Sequence, residues 1–234
     1  MLWHCLVLRR RAGTSPVAKY VLLQIAANRG CSNGWGSQAE LAVSLGLPRD
    51  LTYRGVRELR AAGLVTRFRP GGGRGSGLAS ALSPQVAGAS GRSRIPKNEL
   101  FDRNSQLIRH LLSSRAKANL GFRRTSAVMD ELPIPSLVLL VVLVFFADKH
   151  GVVRSPSLAK LAELTWMDKQ TVQRHLDRLR AMKVLIASVP GAYGRNLVGH
   201  GQGTYILDLA LPLFGEAPFP SVILTLPIAV ATSR

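Results

Sequence analysis

The side chains able to do covalent or metal chemistry in this chain are few and scattered. Two cysteines, Cys5 and Cys31, and five histidines form no cluster with the spacing of a zinc ribbon or a disulfide framework. The 13 acidic residues include no paired-carboxylate site, and the run Gly71-Gly72-Gly73-Arg74-Gly75 lacks the lysine of a phosphate-binding loop and follows a strand-like run instead of opening a helix. The sequence therefore predicts no enzyme, no metal, no cofactor and no small-molecule ligand. Cations are what it has in abundance: 31 Lys plus Arg leave a formal charge of +18 and a pI near 11.4. Such a surplus favours a polyanionic partner, because each phosphate neutralised releases condensed counterions. Nucleic acid leads, and an anionic membrane surface is the competitor.

The elements that must carry those cations come next. A chain of 234 residues can hold one ordinary domain or two small ones. The cysteine usage fits a reducing cytoplasm. Met1 to Val7 is apolar and is followed by Arg9, Arg10 and Arg11, the reverse of a secretory signal's order, so residues 1–14 are expected to be a leading arm. Leu137 to Ala147 is strongly apolar but far short of the roughly 20 residues needed to cross a bilayer, so a buried helix is expected and a membrane partner is not.

Sliding the sequence against itself by about 120 residues aligns two segments without a gap. Val21, Leu23 and Ala27 fall on Val141, Leu143 and Ala147; Ser37, Ala39, Leu41 and Ala42 fall on Ser157, Ala159, Leu161 and Ala162; Arg54, Leu59, Arg60 and Ala61 fall on Arg174, Leu179, Arg180 and Ala181. Each copy reads as three helices and a hairpin. In the first copy the helices are 16–28, 38–45 and 48–62. Ser37 is the expected cap of the second, Thr52, Val56 and Leu59 form the buried face of the third, and Gly63 closes it. A strand 64–68, a glycine-rich loop 70–77 and a return strand 78–82 follow. The second copy repeats the order with helices 135–149, 156–164 and 168–182, capped by Ser155 and Asp168, then strands 184–188 and 204–209.

Domain 1 is thus expected over 15–83 and domain 2 over 133–211. Between them, 84–132 reads as a linker carrying a helix over 98–119, whose Leu100, Leu107, Ile108, Leu111 and Leu112 form a stripe for ordinary packing or for a homodimer contact. Residues 212–234 form a proline-rich apolar tail, since Pro212, Pro218, Pro220 and Pro227 forbid one long helix. The fold class is mainly α with small β-hairpin wings.

Over Ser37 to Val65 and Ser157 to Ile186 the chain resembles the winged helix-turn-helix superfamily, and more narrowly the tandem winged-helix proteins of plasmids, phages and integrative elements, which include replication initiators and regulators. The resemblance spans roughly two thirds of the chain and speaks to fold and DNA binding better than to biological role. It implies that the third helix of each unit enters the major groove and that the wing follows phosphate or the minor groove. The implied base-reading residues are Arg49, Tyr53, Arg54 and Arg57 in the first unit and Lys169, Gln170, Thr171, Gln173 and Arg174 in the second. Arginine can fork onto guanine and glutamine matches adenine, so the second copy has the richer base-reading chemistry. The implied phosphate contacts are Arg67, Arg69 and Arg74 in wing one and Arg195 and Asn196 in wing two.

Two residues depart from the family pattern. Asp50 repels phosphate unless it reads a cytosine amine or pairs with an arginine, and Leu51 stands where a small polar residue is usual. Trp35 and Trp166 read as core caps before base-stacking groups, and His175 and His200 as satisfied polar residues.

The expected function is sequence-specific binding of double-stranded DNA by a cytoplasmic, nucleoid-associated transcriptional regulator. A replication initiator is the alternative, and a winged-helix scaffold of a chromosome-partition complex is a third reading that the strong basic charge disfavours.

Overall fold

The duplication seen in the sequence is repeated in the backbone. The computed structural model describes residues 2–27, 38–68, 79–82, 99–119, 132–154, 156–189 and 203–214. In chain order the elements are α1 (Leu2–Val7), α2 (Pro16–Ala27), α3 (Gln38–Leu45), α4 (Arg49–Ala61), β1 (Val65–Phe68), β2 (Ala79–Leu82), α5 (Glu99–Asn119), α6 (Ile134–Phe146), β3 (Val152–Val153), α7 (Leu158–Thr165), α8 (Lys169–Ala181), β4 (Leu185–Val189) and β5 (Thr204–Leu207), closed by a short 3-10 turn at Pro212–Phe214. The architecture is mainly helical with small antiparallel sheets. β1 pairs with β2, and a second sheet runs in the order β3-β5-β4. The two-residue β3 has no counterpart in the sequence expectation, where the second copy was three helices and a hairpin.

The turn between the second and third helices explains why the copies superpose in sequence. The backbone must swing into the left-handed region there, which Gly46 does at φ 59° and Trp166 at φ 62°. Glycine takes this conformation without steric cost, whereas tryptophan needs its side chain held by the surroundings. Leu47 and Met167 amides then close on the carbonyls of Ala42 and Ala162, at 3.0 and 3.1 Å. The third helices end alike: Leu64 and Val184 amides return to Leu59 and Leu179 carbonyls, with Gly63 and Lys183 at positive φ. Side-chain capping differs from the sequence expectation in one place. Ser157, not Ser155, caps α7, its hydroxyl accepting from the Lys160 amide at 3.3 Å. Ser155 lies outside the described residues, as do Ser37 and Trp35.

The copies do not bury separate cores. α6 has no polar stripe: Ser136 through Val144 are all buried, because α2, α5, α7 and α8 pack around it. α2, the matching helix of the first copy, lies against α6 and carries α4 on another side. One continuous apolar cluster results. Gly55 in α4 serves this packing, since a Cβ there would stand 2.9 Å from Val21 Cγ2 of α2. Among the described residues no helix is long and apolar enough to cross a membrane.

α5 is built into that cluster and is not a bare spacer. Leu107, Ile108, Leu111 and Leu112 are buried. Two buried polar groups tie the helix to both copies: Gln24 donates to the Leu112 carbonyl at 2.8 Å, and Asn104 donates to the Ala147 carbonyl at the end of α6 at 2.8 Å. The 3-10 turn buries Leu213 and Phe214 against α5, while the rest of the expected tail lies outside the described residues.

Within the expected leading arm the chain is helical and packed. Residues 2–7 form a helix with Leu2, Cys5 and Leu6 buried, and Trp3 rests against Phe145 and Phe101 with ring centroids 4.0 and 5.1 Å away. A six-residue helix leaves its last carbonyls without intrahelical partners. Lys19, fully buried in α2, supplies them: its Nζ donates to the carbonyls of Cys5, Leu6 and Leu8 at 2.6, 3.1 and 3.1 Å. The same amine sits 4.8 Å from the centre of the Trp166 ring, whose Nε1 donates to the Leu8 carbonyl at 3.0 Å. Arg9 then pairs with Glu163 of α7 at 2.8 Å, and Arg11 donates to the Ala62 carbonyl at the end of α4. The segment thus straps the first copy to the second.

Burial pushes the Lys19 amine down from its ordinary 10.5 to about 7, against the carbonyls and the indole face that favour the charged form. Between about 7 and 10.5 the unfolded chain holds this proton and the folded chain does not, so the Lys19 contribution to stability rises with pH across that window. Above about 9 the Cys5 thiol, pushed up by burial to about 11, opposes it, so the net rise falls between about 7 and 9. Lys19→Met should lower stability by about 1–3 kcal/mol, read from the denaturant midpoint at constant m, because three carbonyls lose their donor. It should also abolish the alkaline rise; a rise that persisted in the variant would assign it to another group.

Candidate functional site

The third helices present opposite chemistries on opposite sides. α4 turns Thr52, Gly55, Val56 and Leu59 inward, and α8 turns Val172, Leu176 and Leu179 inward. The helical period then forces Arg49, Asp50, Tyr53, Arg54 and Arg57 onto the outer side of α4, where all are exposed. On α8 the same period exposes Lys169, Gln170, Gln173 and Arg174, with Thr171 half-buried at the margin. All nine residues expected to read bases therefore lie on outer faces of two solvent-facing helices. Of the expected wing residues, Arg67 lies in β1 opposite Ser80, while Arg69, Arg74, Arg195 and Asn196 lie outside the described residues.

The exposed groups are held unequally. Asp168 caps α8, accepting from the Thr171 amide and from the Thr171 hydroxyl, both at 2.7 Å. These two bonds hold its carboxyl below the ordinary carboxylate range, with Arg174 adding a smaller effect. The Thr171 oxygen in turn accepts from Arg174 Nη2 at 3.3 Å, and Gln173 Nε2 donates to Asp177 Oδ1 at 3.3 Å. Thr171 is thus engaged in the cap before any ligand arrives. Pro48 offers α4 no side-chain cap. Asp50 instead sits in its first turn, where the positive helix end favours a carboxylate.

Several residues that shape the face went unremarked in the sequence. Glu58 accepts from Arg54 Nε at 3.0 Å and from the Ser15 amide at 2.9 Å, its side chain 13% exposed. The Arg54/Glu58 spacing of four was a legible signal for an ion pair; the Ser15 contact, 43 residues away, was not. Arg180 pairs with Asp177 at 2.9 Å and donates to the Ser188 hydroxyl of β4, linking α8 to the sheet. His175 shares a 2.8 Å hydrogen bond with Ser136, and burial followed by the Arg174 and Arg178 charges lowers its pKa, which favours the neutral ring. Trp166 is fully buried and belongs to the core.

Among the described residues no group of His, Cys, Asp and Glu could hold a metal ion. What the two faces can do chemically is donate: guanidinium, ammonium and amide groups stand exposed with few carboxylates among them. Comparison with protein-family models, with curated proteins and with solved structures finds no match to this chain.

The Asp168 cap contributes stability that is fully present above the ordinary value of 3.8 and is lost as pH falls through its lower folded value. Asp168→Ala should lower the thermal midpoint near neutral pH, and the difference from the parent chain should shrink in strong acid. An unchanged midpoint at neutral pH would remove the cap from the account of α8.

Proposed function

We propose that the chain is a double-stranded DNA-binding protein of two tandem winged helix-turn-helix units that selects its sites by sequence and acts as a transcriptional regulator. The observation that carries this reading is topological and chemical at once. In the second copy the order α6, β3, α7, α8, β4, β5, with β5 between β3 and β4, supports a winged-helix reading. Its third helix points guanidinium, ammonium and amide groups outward. The first copy repeats the three helices and the hairpin in the same order, with a second cationic outer face on α4. A helix of this kind fits the major groove, where arginine and glutamine match guanine and adenine edges.

The charge of +18 supplies the remainder. Phosphate neutralisation drives sequence-independent affinity, and groove contacts then discriminate among sites. Fluorescence anisotropy with random duplex should show tight binding at low salt, with log K falling linearly against log salt at about −0.9 per phosphate neutralised. Footprinting on selected fragments should show a short protected operator. Failure to bind any duplex at low salt would overturn the reading, and iterated protected sites beside an AT-rich tract would replace the regulator with a replication initiator.

A further inference from the structure

The two outer faces look alike in charge and differ in how their arginines are held. Arg54 and Arg174 occupy matching positions of α4 and α8. Arg54 is drawn one turn toward the C-terminal end of its helix, Nε bonded to Glu58, and Glu58 is itself fixed by the Ser15 amide. Arg174 is drawn one turn toward the N-terminal end of its helix, Nη2 bonded to the Thr171 hydroxyl, which Asp168 fixes. The neighbours differ in the same sense. Asp50 and Tyr53 of α4 match Gln170 and Gln173 of α8, and Arg57 and Glu58 match Asp177 and Arg178. Both helices carry cations toward the C-terminal end, Arg57 and Arg60 in α4 and Arg178 and Arg180 in α8. The N-terminal halves differ: α8 collects Lys169, Gln170, Gln173 and the Arg174 head group there, whereas α4 has Arg49, Asp50 and Tyr53 and sends the Arg54 head group the other way.

A recognition helix meets base edges with its N-terminal residues, and its remaining cations are nearer the phosphates. An amide pair and a forward-held guanidinium suit the edges of adenine and guanine; a carboxylate in the same place suits few edges and repels the backbone. We propose that the units divide recognition: the α8 face selects the base sequence, and the α4 face grips the phosphate backbone without selecting it. Thr171 and Glu58 act as positioning residues that aim the two arginines to these separate ends. The proposal rests on the DNA-binding reading above and goes beyond it by making the two faces unequal.

The test uses the full chain and a site enriched from a randomised duplex library, with random duplex as reference. Arg174→Ala should weaken binding to the enriched site by about tenfold or more and leave random duplex nearly unchanged, so the ratio collapses. Arg54→Ala should weaken both duplexes by the same factor and shallow the salt slope by about one. Thr171→Val should lower the ratio without changing the salt slope, which a purely structural role of the hydroxyl would not do. Circular dichroism checks that each variant folds; one that does not is replaced by Arg174→Lys, which keeps the charge and loses the fork, or by Arg54→Gln, which keeps a polar side chain and loses the charge. Loss of the ratio in the Arg54 variant, an equal effect of both arginines, or enrichment of no site at all would overturn the division of labour. Wild-type chain that binds no duplex would overturn the underlying reading instead.

Discussion

A helix that is apolar on every side cannot lie at a surface, and α6 is such a helix. Ser136 to Val144 are buried without a gap, so other elements must enclose it completely. α7 and α8 come from its own copy; α5 and α2 complete the enclosure. The second copy therefore cannot bury its first helix alone, and the chain is held as one body by the packing of α2 on α6. Replacing water around those nine residues drives the assembly, since burying a single Leu or Val side chain is worth about 1.5–3 kcal/mol.

Joining the copies through their first helices leaves each third helix resting on its own first helix, with one side in the shared core and the other in solvent. This is why α4 and α8 can bury one narrow stripe and still expose a long charged side. The strap of residues 2–15 crosses both copies in the process, touching α2 through Lys19, α7 through Arg9, α4 through Arg11 and Glu58, and the α7–α8 turn through Trp166. A buried amine at the centre of that strap is an expensive device, and three carbonyls and one indole face are what offset its desolvation. Trp166 replaces the glycine of the first copy at a left-handed turn; its buried ring and its bond to Leu8 hold the backbone there.

Duplication followed by divergence is visible in the residues that do not face the core. Leu41, Ala42, Val56, Leu59 and Leu64 match Leu161, Ala162, Leu176, Leu179 and Val184, and all are buried. Outward positions have changed chemistry freely: Asp50 against Gln170, Tyr53 against Gln173, Arg57 against Asp177. Packing constrains volume and apolarity at the first set, whereas solvent imposes neither on the second, so differences there can alter what is bound without altering the fold.

Local physics was legible in the chain alone. Helical periodicity placed α3 at its observed bounds and α4 and α8 within a residue at each end, and it marked Thr52, Val56 and Leu59 as the inward side of α4. The capping role of Asp168 and the turn at Gly63 depend on neighbours within four residues, which is why they too could be read. The exposure of eight of the nine candidate base-reading residues, all but the half-buried Thr171, followed from the same period. Other features depend on partners distant in sequence, and only the tertiary structure decided them. Residues 2–7 became a buried helix because Lys19 and Trp3's aromatic neighbours receive it; β3 exists because β5, some fifty residues on, offers an edge to Val152 and Val153. Arg54 was aimed by a glutamate anchored at Ser15, and the two copies share a core because α6 has no side for water. One-dimensional patterns record the side a residue turns to its own helix axis, and three-dimensional packing settles what meets that side.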